Sequence, residues 1–305
     1  MTPPPVVYGD LALHVVAERP EAAFGLGPVE LMAGASAGTV AGQLAALGHP
    51  PVLVGVTGAD AAGALVRAEL EALGVDCRLV EAIPGPTTRV LALVAPGDRR
   101  TMAVAPGADW PSAGWAVREP PWPGAPGDLA YIPGFPGFES TVRRLVGRGA
   151  RVVADAGFLP LLSDRARLRA HAIGLAPGLE VLVLSGGDVA EPENRALADA
   201  CLAAGARAVV TTLGPDGLLA ATARGTVHQP AHRVEARNSL CAGDSVVAGL
   251  IAGLAEGLPL EPALALGQAV AAARIAALAA FAKRPSLRGG GQGGGTLEGG
   301  RPLGE

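Results

Sequence analysis

Aromatic residues are scarce in this 305-residue sequence, at 3% of the chain, and charged residues are few, at 17%. Hydrophobic residues nevertheless make up 50% of it, mostly Ala, Val and Leu, so the chain can build a sizeable core. The low aromatic content argues against an aromatic-rich β-sandwich and favours helices layered on a sheet. The length suits one large domain or two modest ones.

Cysteine is rarer still. The three cysteines, Cys77, Cys201 and Cys241, form no CxxC pair and lie near no pair of histidines, so the sequence indicates neither a disulfide framework nor a zinc site. Neither sign of charge dominates, since the net charge is −4 and no block of like charges occurs. A protein that binds duplex nucleic acid normally shows a basic face or stripe. We therefore expect no nucleic-acid partner.

Signals for secretion and for membrane insertion are missing. The first residues, MTPPP, lack a basic region followed by an apolar stretch, so we expect a cytoplasmic protein. The longest apolar run, 262–282, is rich in Ala and is interrupted by Gln268 and Arg274. A spanning helix needs about 20 predominantly apolar residues. The run therefore predicts one or two buried helices and no membrane association.

Short apolar runs alternate with helix-length segments over most of the chain. Residues 52–56 are typical of a buried strand, and 61–73 place their apolar residues on one helical face that ends at Gly74. The pattern repeats with strands predicted at 152–154, 181–184 and 208–211. Such alternation predicts a doubly wound α/β fold, in which a mostly parallel central sheet carries helices on both faces.

Three segments depart from this rhythm. Residues 11–32 and 85–105 contain shorter strand-like patches, with a Pro-Gly-Asp turn at 96–98, and predict a small β-structure beside the main sheet. Residues 285–305 are rich in Gly and have no apolar periodicity, which predicts a flexible tail. The domain is accordingly expected to span 1–284.

The most informative segment is 238–244, NSLCAGD, because the residues after it form an apolar helical stripe. Ala242, Gly243 and Asp244 should therefore begin a helix. Small residues there let a phosphate approach free backbone N–H groups, and the helix dipole favours the anion. Asp244 could accept a proton from a hydroxyl, with the dipole keeping its carboxylate ionised near neutral pH. Alternatively, it merely caps a core helix.

Residues 238–244 resemble the C-terminal signature of the ribokinase-like, or PfkB, carbohydrate kinase family, usually written D-T-x-G-A-G-D. Other segments agree with that family in the same order along the chain. They are 9–14, similar to the opening strand; 34–48, similar to the glycine-rich segment and its helix; 58–63, matching G-x-D-x-x-G; 87–88, matching the paired threonines; and 212–217, matching T-x-G-x-x-G.

The resemblance implies a small β-sheet lid, formed by the segments near 11–32 and 85–105, which in this family often mediates dimerisation. It also implies transfer of the ATP γ-phosphoryl group to a substrate hydroxymethyl group, with ATP and Mg²⁺ as cofactors. Asp244 would be the general base, and the N–H groups of Cys241, Ala242 and Gly243 would form an anion hole. The remaining implied site residues are Thr212, Gly214, Gly217 and Ser185 for ATP, Asp188 for the metal, and His14, Gly34, Ala35 and Thr39 for the substrate.

The sequence departs from the family on the phosphate side. Asn238 replaces the first Asp of the signature, and Cys241 replaces a Gly, which narrows the space where backbone must approach phosphate. The family's N-x-x-E falls on residues 185–188. There Asp188 keeps a shorter carboxylate and Ser185 only a hydroxyl, and the segment is equally typical of a strand-to-helix turn.

The substrate side departs further, because His14 stands where the sugar kinases have an Asp, Ala35 where they have a second Gly, and Thr39 where they have an Asn. His14 could hydrogen-bond a hydroxyl or serve only as a structural residue.

These residues predict a kinase of a sugar or sugar acid. A nucleoside kinase is the less favoured acceptor class, because few aromatics are available to stack on a base. The alternative from another class is a catalytically weak relative that senses a metabolite or nucleotide. A nicotinamide-dependent dehydrogenase is given little weight, because the G-x-G-x-x-G fingerprint of that class does not follow the first strand.

Overall fold

The computed structural model describes residues 3–18, 29–95, 97–108, 110, 121–156, 165–187, 190–236 and 238–281. Its strands are β1 (Val6–Gly9), β2 (Ala12–Glu18), β3 (Val29–Gly34), β4 (Val52–Gly58), β5 (Asp76–Ile83), β6 (Thr88–Ala95), β7 (Arg99–Ala105), β8 (Leu129–Pro133), β9 (Arg151–Asp155), β10 (Val181–Ser185), β11 (Ala208–Thr212), β12 (Leu218–Thr222) and β13 (Gly225–Gln229). Its helices are α1 (Ala35–Ala46), α2 (Ala61–Ala72), α3 (Glu139–Gly147), α4 (Arg165–Leu175), α5 (Glu191–Ala203), α6 (Ala242–Ala255) and α7 (Leu260–Phe281).

A nine-stranded main sheet runs in the order β13-β12-β11-β10-β9-β8-β1-β4-β5. Neighbouring strands from β11 to β5 are parallel, and β12 and β13 add an antiparallel edge. Two apolar clusters cover the sheet. One contains residues of α1, α2, α6 and α7, and the other contains residues of α3, α4 and α5. The predicted doubly wound fold is confirmed, and burial on both faces explains the continuous apolar strands.

The segments predicted to form a separate β-structure supply a four-stranded small sheet in the order β3-β2-β6-β7. β2 pairs with β3 antiparallel and with β6 parallel, and β6 and β7 form a hairpin. At the tip of that hairpin, Gly97 and Asp98 both adopt left-handed backbone angles, with φ of 75° and 57°. Such angles suit Gly and Asp in tight turns, so the predicted turn is explained by its residues.

The comparison of residues 9–14 with an opening strand needs correction. The opening strand of the main sheet is β1, and it ends at Gly9, whereas His14 lies in β2 of the small sheet. The chain therefore passes from one sheet to the other between these residues. Consequently Asp10, directly after β1, lies at the carboxyl edge of the main sheet, a position that the sequence reading had not singled out.

The G-x-D-x-x-G segment and the first of the paired threonines connect the two sheets. Asp60 caps α2 by accepting from the Gly63 N–H at 2.9 Å, and it also accepts from the Thr87 hydroxyl at 2.6 Å. Arg89 of β6 donates to the same carboxylate at 2.7 Å. These hydrogen bonds lower the pKa of Asp60 to about 2, the Thr87 hydroxyl contributing most. The motif thus ties the small sheet to the start of α2.

The apolar run near the C-terminus forms one helix, α7, which packs along α6. In the part of the chain that the structure describes, no helix has both the length and the apolar character needed to cross a membrane. The Gly-rich segment 285–305 lies outside the described residues. Its flexibility, and the division into 1–284 and a tail, therefore stay predictions.

Candidate active site

Three carboxylates share the carboxyl edge of the main sheet. Asp10 follows β1, Asp155 ends β9, and Asp244 lies in the first turn of α6. The Asp244 carboxylate is hydrogen-bonded to the side chains of Ser36 and Cys241. Ligands of open α/β sheets bind at this edge, so the fold brings the predicted base to the expected place. Asp10, Asp155 and Ser36 were missed because their role depends on which strand ends meet.

The expectation that the helix dipole keeps Asp244 readily ionised is wrong in direction. Burial raises the pKa of Asp244 well above its usual value, and the negative charges of Asp155 and Asp10 raise it further. The hydrogen bonds from Ser36 and Cys241 oppose this rise without cancelling it. A raised pKa makes the carboxylate a stronger base once it is ionised.

The backbone at the start of α6 has a left-handed turn. Cys241 is the N-cap residue with φ of 63°, a value that favours glycine. Of the three predicted anion-hole donors, the Ala242 N–H donates to the Ser239 carbonyl at 3.1 Å. Gly243 is exposed, and a Cβ built on it would find no atom within 4 Å. Space for a ligand therefore exists at Gly243.

The Cys241 side chain joins the predicted catalytic and substrate residues. The Thr39 hydroxyl of α1 donates to Cys241 Sγ at 3.7 Å, and Thr39 is itself buried. Burial and the charge of Asp244 raise the pKa of the Cys241 thiol to about 12, so it stays neutral. Beside them, Gln43 donates to Ser245 Oγ at 2.7 Å, which donates to the Cys241 carbonyl at 2.8 Å. The start of α6 is thereby fixed to α1.

His14 supports the start of α1. Its Nε2 accepts from the Ala35 N–H at 2.9 Å, and the residue is only 5% exposed. Ala35 has φ of 58°, so the imidazole holds a strained backbone. Gly34 lies against the face of the ring, where a Cβ would overlap it. Burial and the nearby positive charge of Arg274 lower the pKa of His14 to about 4, which keeps it neutral near neutral pH. His14 thus has a structural role, and its contact with a substrate stays a prediction.

Arg274 is a charged residue near this site that sequence reasoning treated only as an interruption of an apolar run. It projects from α7 and donates to Met32 Sδ at 3.6 Å, and Met32 is the β-ladder partner of His14. Its Nε atom is buried and has no hydrogen-bond partner among the described residues. Only the folded structure shows this proximity, because no local sequence pattern encodes it.

The predicted nucleotide residues gather at the ends of β10 and β11. Ser185 pairs with Thr212 across these strands, and the Thr212 hydroxyl donates to the Leu184 carbonyl at 3.3 Å. Gly214 and Gly217 have φ of 60° and 94° in the turn that follows. A Cβ on Gly217 would overlap the Gln229 carbonyl of β13, so this position requires glycine.

The predicted metal ligand, Asp188, lies outside the described residues. Within the described ranges, no group of three or more His, Cys, Asp or Glu side chains is arranged to hold a metal ion. The assignment of Asp188 to Mg²⁺ therefore stays a prediction.

The comparisons with known proteins agree with this geometry. A family model described as "pfkB family carbohydrate kinase" matches residues 6–114 and 179–285, and the chain belongs to this family of transferases, in which ATP binding is typical. The "Bifunctional protein HldE" of Bradyrhizobium sp. (strain ORS 278) is 30% identical over 289 residues, covering 88% of this chain and 57% of that protein. The protein of the same name from Nitrobacter hamburgensis is 29% identical over 299 residues with the same coverage. The chain thus spans little more than half the length of these relatives.

Solved structures share the fold at lower identity. A ribokinase from Thermotoga maritima superposes with a TM-score of 0.71 at 18% identity, covering 89% of this chain and 92% of that one. A nucleoside kinase from Burkholderia thailandensis in complex with inosine gives 0.71 at 20% identity, covering 89% and 91%. At these identities the comparison establishes the ribokinase-like fold and leaves the substrate open.

Proposed function

We propose that the chain is an ATP-dependent kinase that transfers the γ-phosphoryl group to a hydroxymethyl group of a small sugar or sugar acid. The observation that carries the proposal is the environment of Asp244. Burial raises its pKa and the charges of Asp155 and Asp10 raise it further, Ser36 and Cys241 hydrogen-bond it, and it stands beside the open Gly243. A single carboxylate tuned in this way at a helix N-terminus suits a base that acts on a phosphate acceptor.

In the proposed reaction, Asp244 takes the proton of the acceptor hydroxyl as its oxygen bonds to the γ-phosphorus. The bond between that phosphorus and the bridging oxygen of ATP breaks, and ADP leaves. Backbone N–H groups at Cys241 and Gly243, together with the α6 dipole, stabilise the charge on the transferring group, whereas the Ala242 N–H, predicted as a third donor, is bonded to the Ser239 carbonyl. Mg²⁺, when bound, neutralises phosphate charge.

The nucleotide is assigned to the end of the sheet around β10 and β11. A Cβ on Gly214 would meet no atom within 4 Å, which leaves room for a phosphate at that residue, and Ser185 and Thr212 lie at the strand ends before this turn. Two structures with this fold, an Arabidopsis thaliana ribokinase complexed with ribose and ATP and a Salmonella enterica aminoimidazole riboside kinase complexed with aminoimidazole riboside and an ATP analogue, support nucleotide use by this chain. ATP as the donor nucleotide of this chain is part of the proposal.

The acceptor is assigned to the space between the small sheet and α1. We assign Gly34, Ala35 and Thr39 to its border, where the family's carboxylate is replaced by the neutral His14 and the positive charge of Arg274 lies nearby. A sugar or sugar acid, held by hydroxyl contacts and backbone N–H groups, fits such a surface. A nucleoside is the alternative acceptor, since the fold also occurs in a kinase bound to inosine.

The outer face of the small sheet is proposed to pair two copies of the chain. Val29 and Leu31 of β3 are 52% and 53% exposed, and Leu91 of β6 is 38% exposed on the same face. An exposed apolar patch of this kind marks an interaction surface. Sedimentation of the wild type and of Leu31→Glu tests it, because the charged variant should sediment as a monomer.

Asp244→Asn tests the enzyme proposal. A thermal-shift screen with ATP and Mg²⁺ and a panel of sugars, sugar acids and nucleosides first identifies the acceptor, since a ligand that binds only the folded state raises the Tm. Because the amide keeps the shape but cannot take the proton, kcat should fall by roughly 10²–10⁴ while ATP affinity changes little. Asp199→Asn, on the exposed side of α5, is the control. Wild-type turnover by Asp244→Asn would refute the mechanism, and ligand binding without turnover by the wild type would favour a sensor.

A further inference from the structure

The tip of the small sheet is bonded to the loop that precedes α6. Asp98 Oδ1 accepts from the Ser239 N–H at 2.9 Å, and Asp98 Oδ2 accepts from the Ser239 hydroxyl at 2.5 Å. The two residues are 141 positions apart in sequence. Arg100 Nε stands 3.6 Å from the same carboxylate. The Asp98 carboxylate thus accepts hydrogen bonds from both the backbone N–H and the hydroxyl of Ser239.

An apolar contact reinforces this connection. Leu240, the next residue of the loop, is 5% exposed and packs with Val16, Ala92 and Val94 on the inner face of the small sheet. The Ser239 carbonyl in turn accepts from the Ala242 N–H. Displacement of the hairpin tip would therefore displace the backbone from Ser239 to Ala242, which leads into the turn carrying Asp244.

We propose that Asp98 is a positioning residue. By coupling residues 239–242 to the small sheet, it fixes the position of the backbone that would bind the phosphoryl group. This inference rests on the proposed function and deepens it. The strand β2, which carries His14 and faces the acceptor site, pairs along its length with β6 of the same hairpin. Movement of the small sheet against an acceptor would reach the loop through Asp98. Phosphoryl transfer depends on such positioning.

The test uses MgADP with and without aluminium fluoride, a mimic of the transferring phosphoryl group that needs no known acceptor. Asp98→Gly is the main variant, because Gly tolerates the left-handed φ of this residue. Any loss of aluminium fluoride binding then results from removal of the carboxylate alone. Asp98→Asn, which also tolerates the angle and can still bond Ser239, is the conservative rescue. Asp76→Gly removes an exposed carboxylate that contacts Arg78 on β5 and serves as the control.

Calorimetric titration should show that aluminium fluoride tightens MgADP binding to the wild type. In Asp98→Gly this tightening should fall by roughly tenfold to a hundredfold, whereas the affinity for MgADP alone should stay within about twofold. Asp98→Asn should recover most of the tightening by aluminium fluoride. Charge alone predicts the opposite, because removing a carboxylate beside an anion site, and releasing Arg100, would strengthen both affinities.

A double variant, Asp98→Gly with Ser239→Ala, should lose no more than Asp98→Gly, because both changes break the same contact. Unchanged or stronger aluminium fluoride binding in Asp98→Gly would overturn the positioning role. Equal weakening of both ligands would do the same, since it indicates a general loss of structure. If the wild type fails to bind MgADP at all, the proposed kinase function fails, and this inference with it.

Discussion

The starts of α1 and α6 pose the same backbone problem and solve it differently. Ala35 begins α1 with φ of 58°, and Cys241 caps α6 with φ of 63°. A non-glycine residue in this conformation costs roughly 1 kcal/mol or more. At α1 the support is a buried neutral imidazole from the adjacent strand β2. At α6 the loop is supported through Ser239 by Asp98 of the small sheet, whose carboxylate is 21% exposed.

Both supports come from the small sheet, but they differ in exposure and in position. His14 is buried in β2 and changes charge only at acidic pH. Asp98 lies at the partly exposed tip of the β6-β7 hairpin and holds a loop that is distant in sequence. The support at α1 is therefore enclosed, whereas the support at α6 is open to solvent. Experiments that remove one support at a time test this difference between the two helix starts.

Acid stability should show the largest effect. In the unfolded chain His14 takes a proton near pH 6.5, whereas in the folded protein its pKa is about 4. Stability is therefore complete above about pH 6.5 and is lost as the pH falls towards 4, by about 3 kcal/mol in total. His14→Gln should abolish this portion of the pH dependence, measured by urea unfolding at pH 7.5, 5.5 and 4.5. His232→Gln, an exposed histidine, is the control; an unchanged slope in His14→Gln would contradict a buried neutral imidazole.

Acceptor binding should show the next effect. His14→Ala leaves the Ala35 N–H without its partner and loosens the start of α1, so the acceptor KM should rise by roughly tenfold. The KM for ATP should stay within about twofold, because the nucleotide residues lie at β10 and β11. Steady-state kinetics with the acceptor from the screen measures both. If the two constants rise together, the damage is to the fold rather than to the acceptor site.

These expectations could be reached only in part from the sequence. The alternation of strands and helices predicts the doubly wound sheet, because burial on both faces leaves a local apolar signature. The helix start at Ala242 is predicted in the same way. Asp244 is identifiable from its place after two small residues and from the family motif that contains it.

The remaining features depend on contacts between distant segments. The direction of the Asp244 pKa shift comes first from burial and then from Asp155 and Asp10, which approach it only because β9 and β1 end at one edge. The bond from Ala35 to His14 depends on the small sheet folding back over α1. The sequence around Asp244 predicts the helix dipole, which lowers the pKa of this residue. It does not predict the burial and the neighbouring negative charges, whose effect on the pKa is larger.

A smaller effect concerns the acidic limb of the pH–rate profile. Asp155→Asn removes a negative charge that raises the pKa of Asp244, so that pKa should fall and the limb should move to lower pH by about one unit. Activity on the acidic side of the limb would therefore rise, while the plateau changes less. The pH dependence of kcat, with Asp199→Asn as control, measures the shift. A limb that stays in place would show that the charges are not coupled.

The smallest effect tests the comparison of the two helix starts directly. Ala35→Gly relieves a left-handed alanine but adds freedom to the unfolded chain, so it should stabilise the protein by only about 0.5 kcal/mol. Cys241→Gly relieves the same strain, yet it also removes the Sγ that accepts from Thr39 and packs against the Leu240 cluster. Its stability should therefore change less than that of Ala35→Gly or fall, with turnover preserved or raised because phosphate gains access to the backbone. Ala45→Gly, inside α1, should destabilise by about 1 kcal/mol and fixes the scale of an ordinary helical glycine. Urea unfolding of the three variants gives the order, and a greater gain at Cys241 than at Ala35 would show that the thiol, rather than the backbone angle, strains the start of α6.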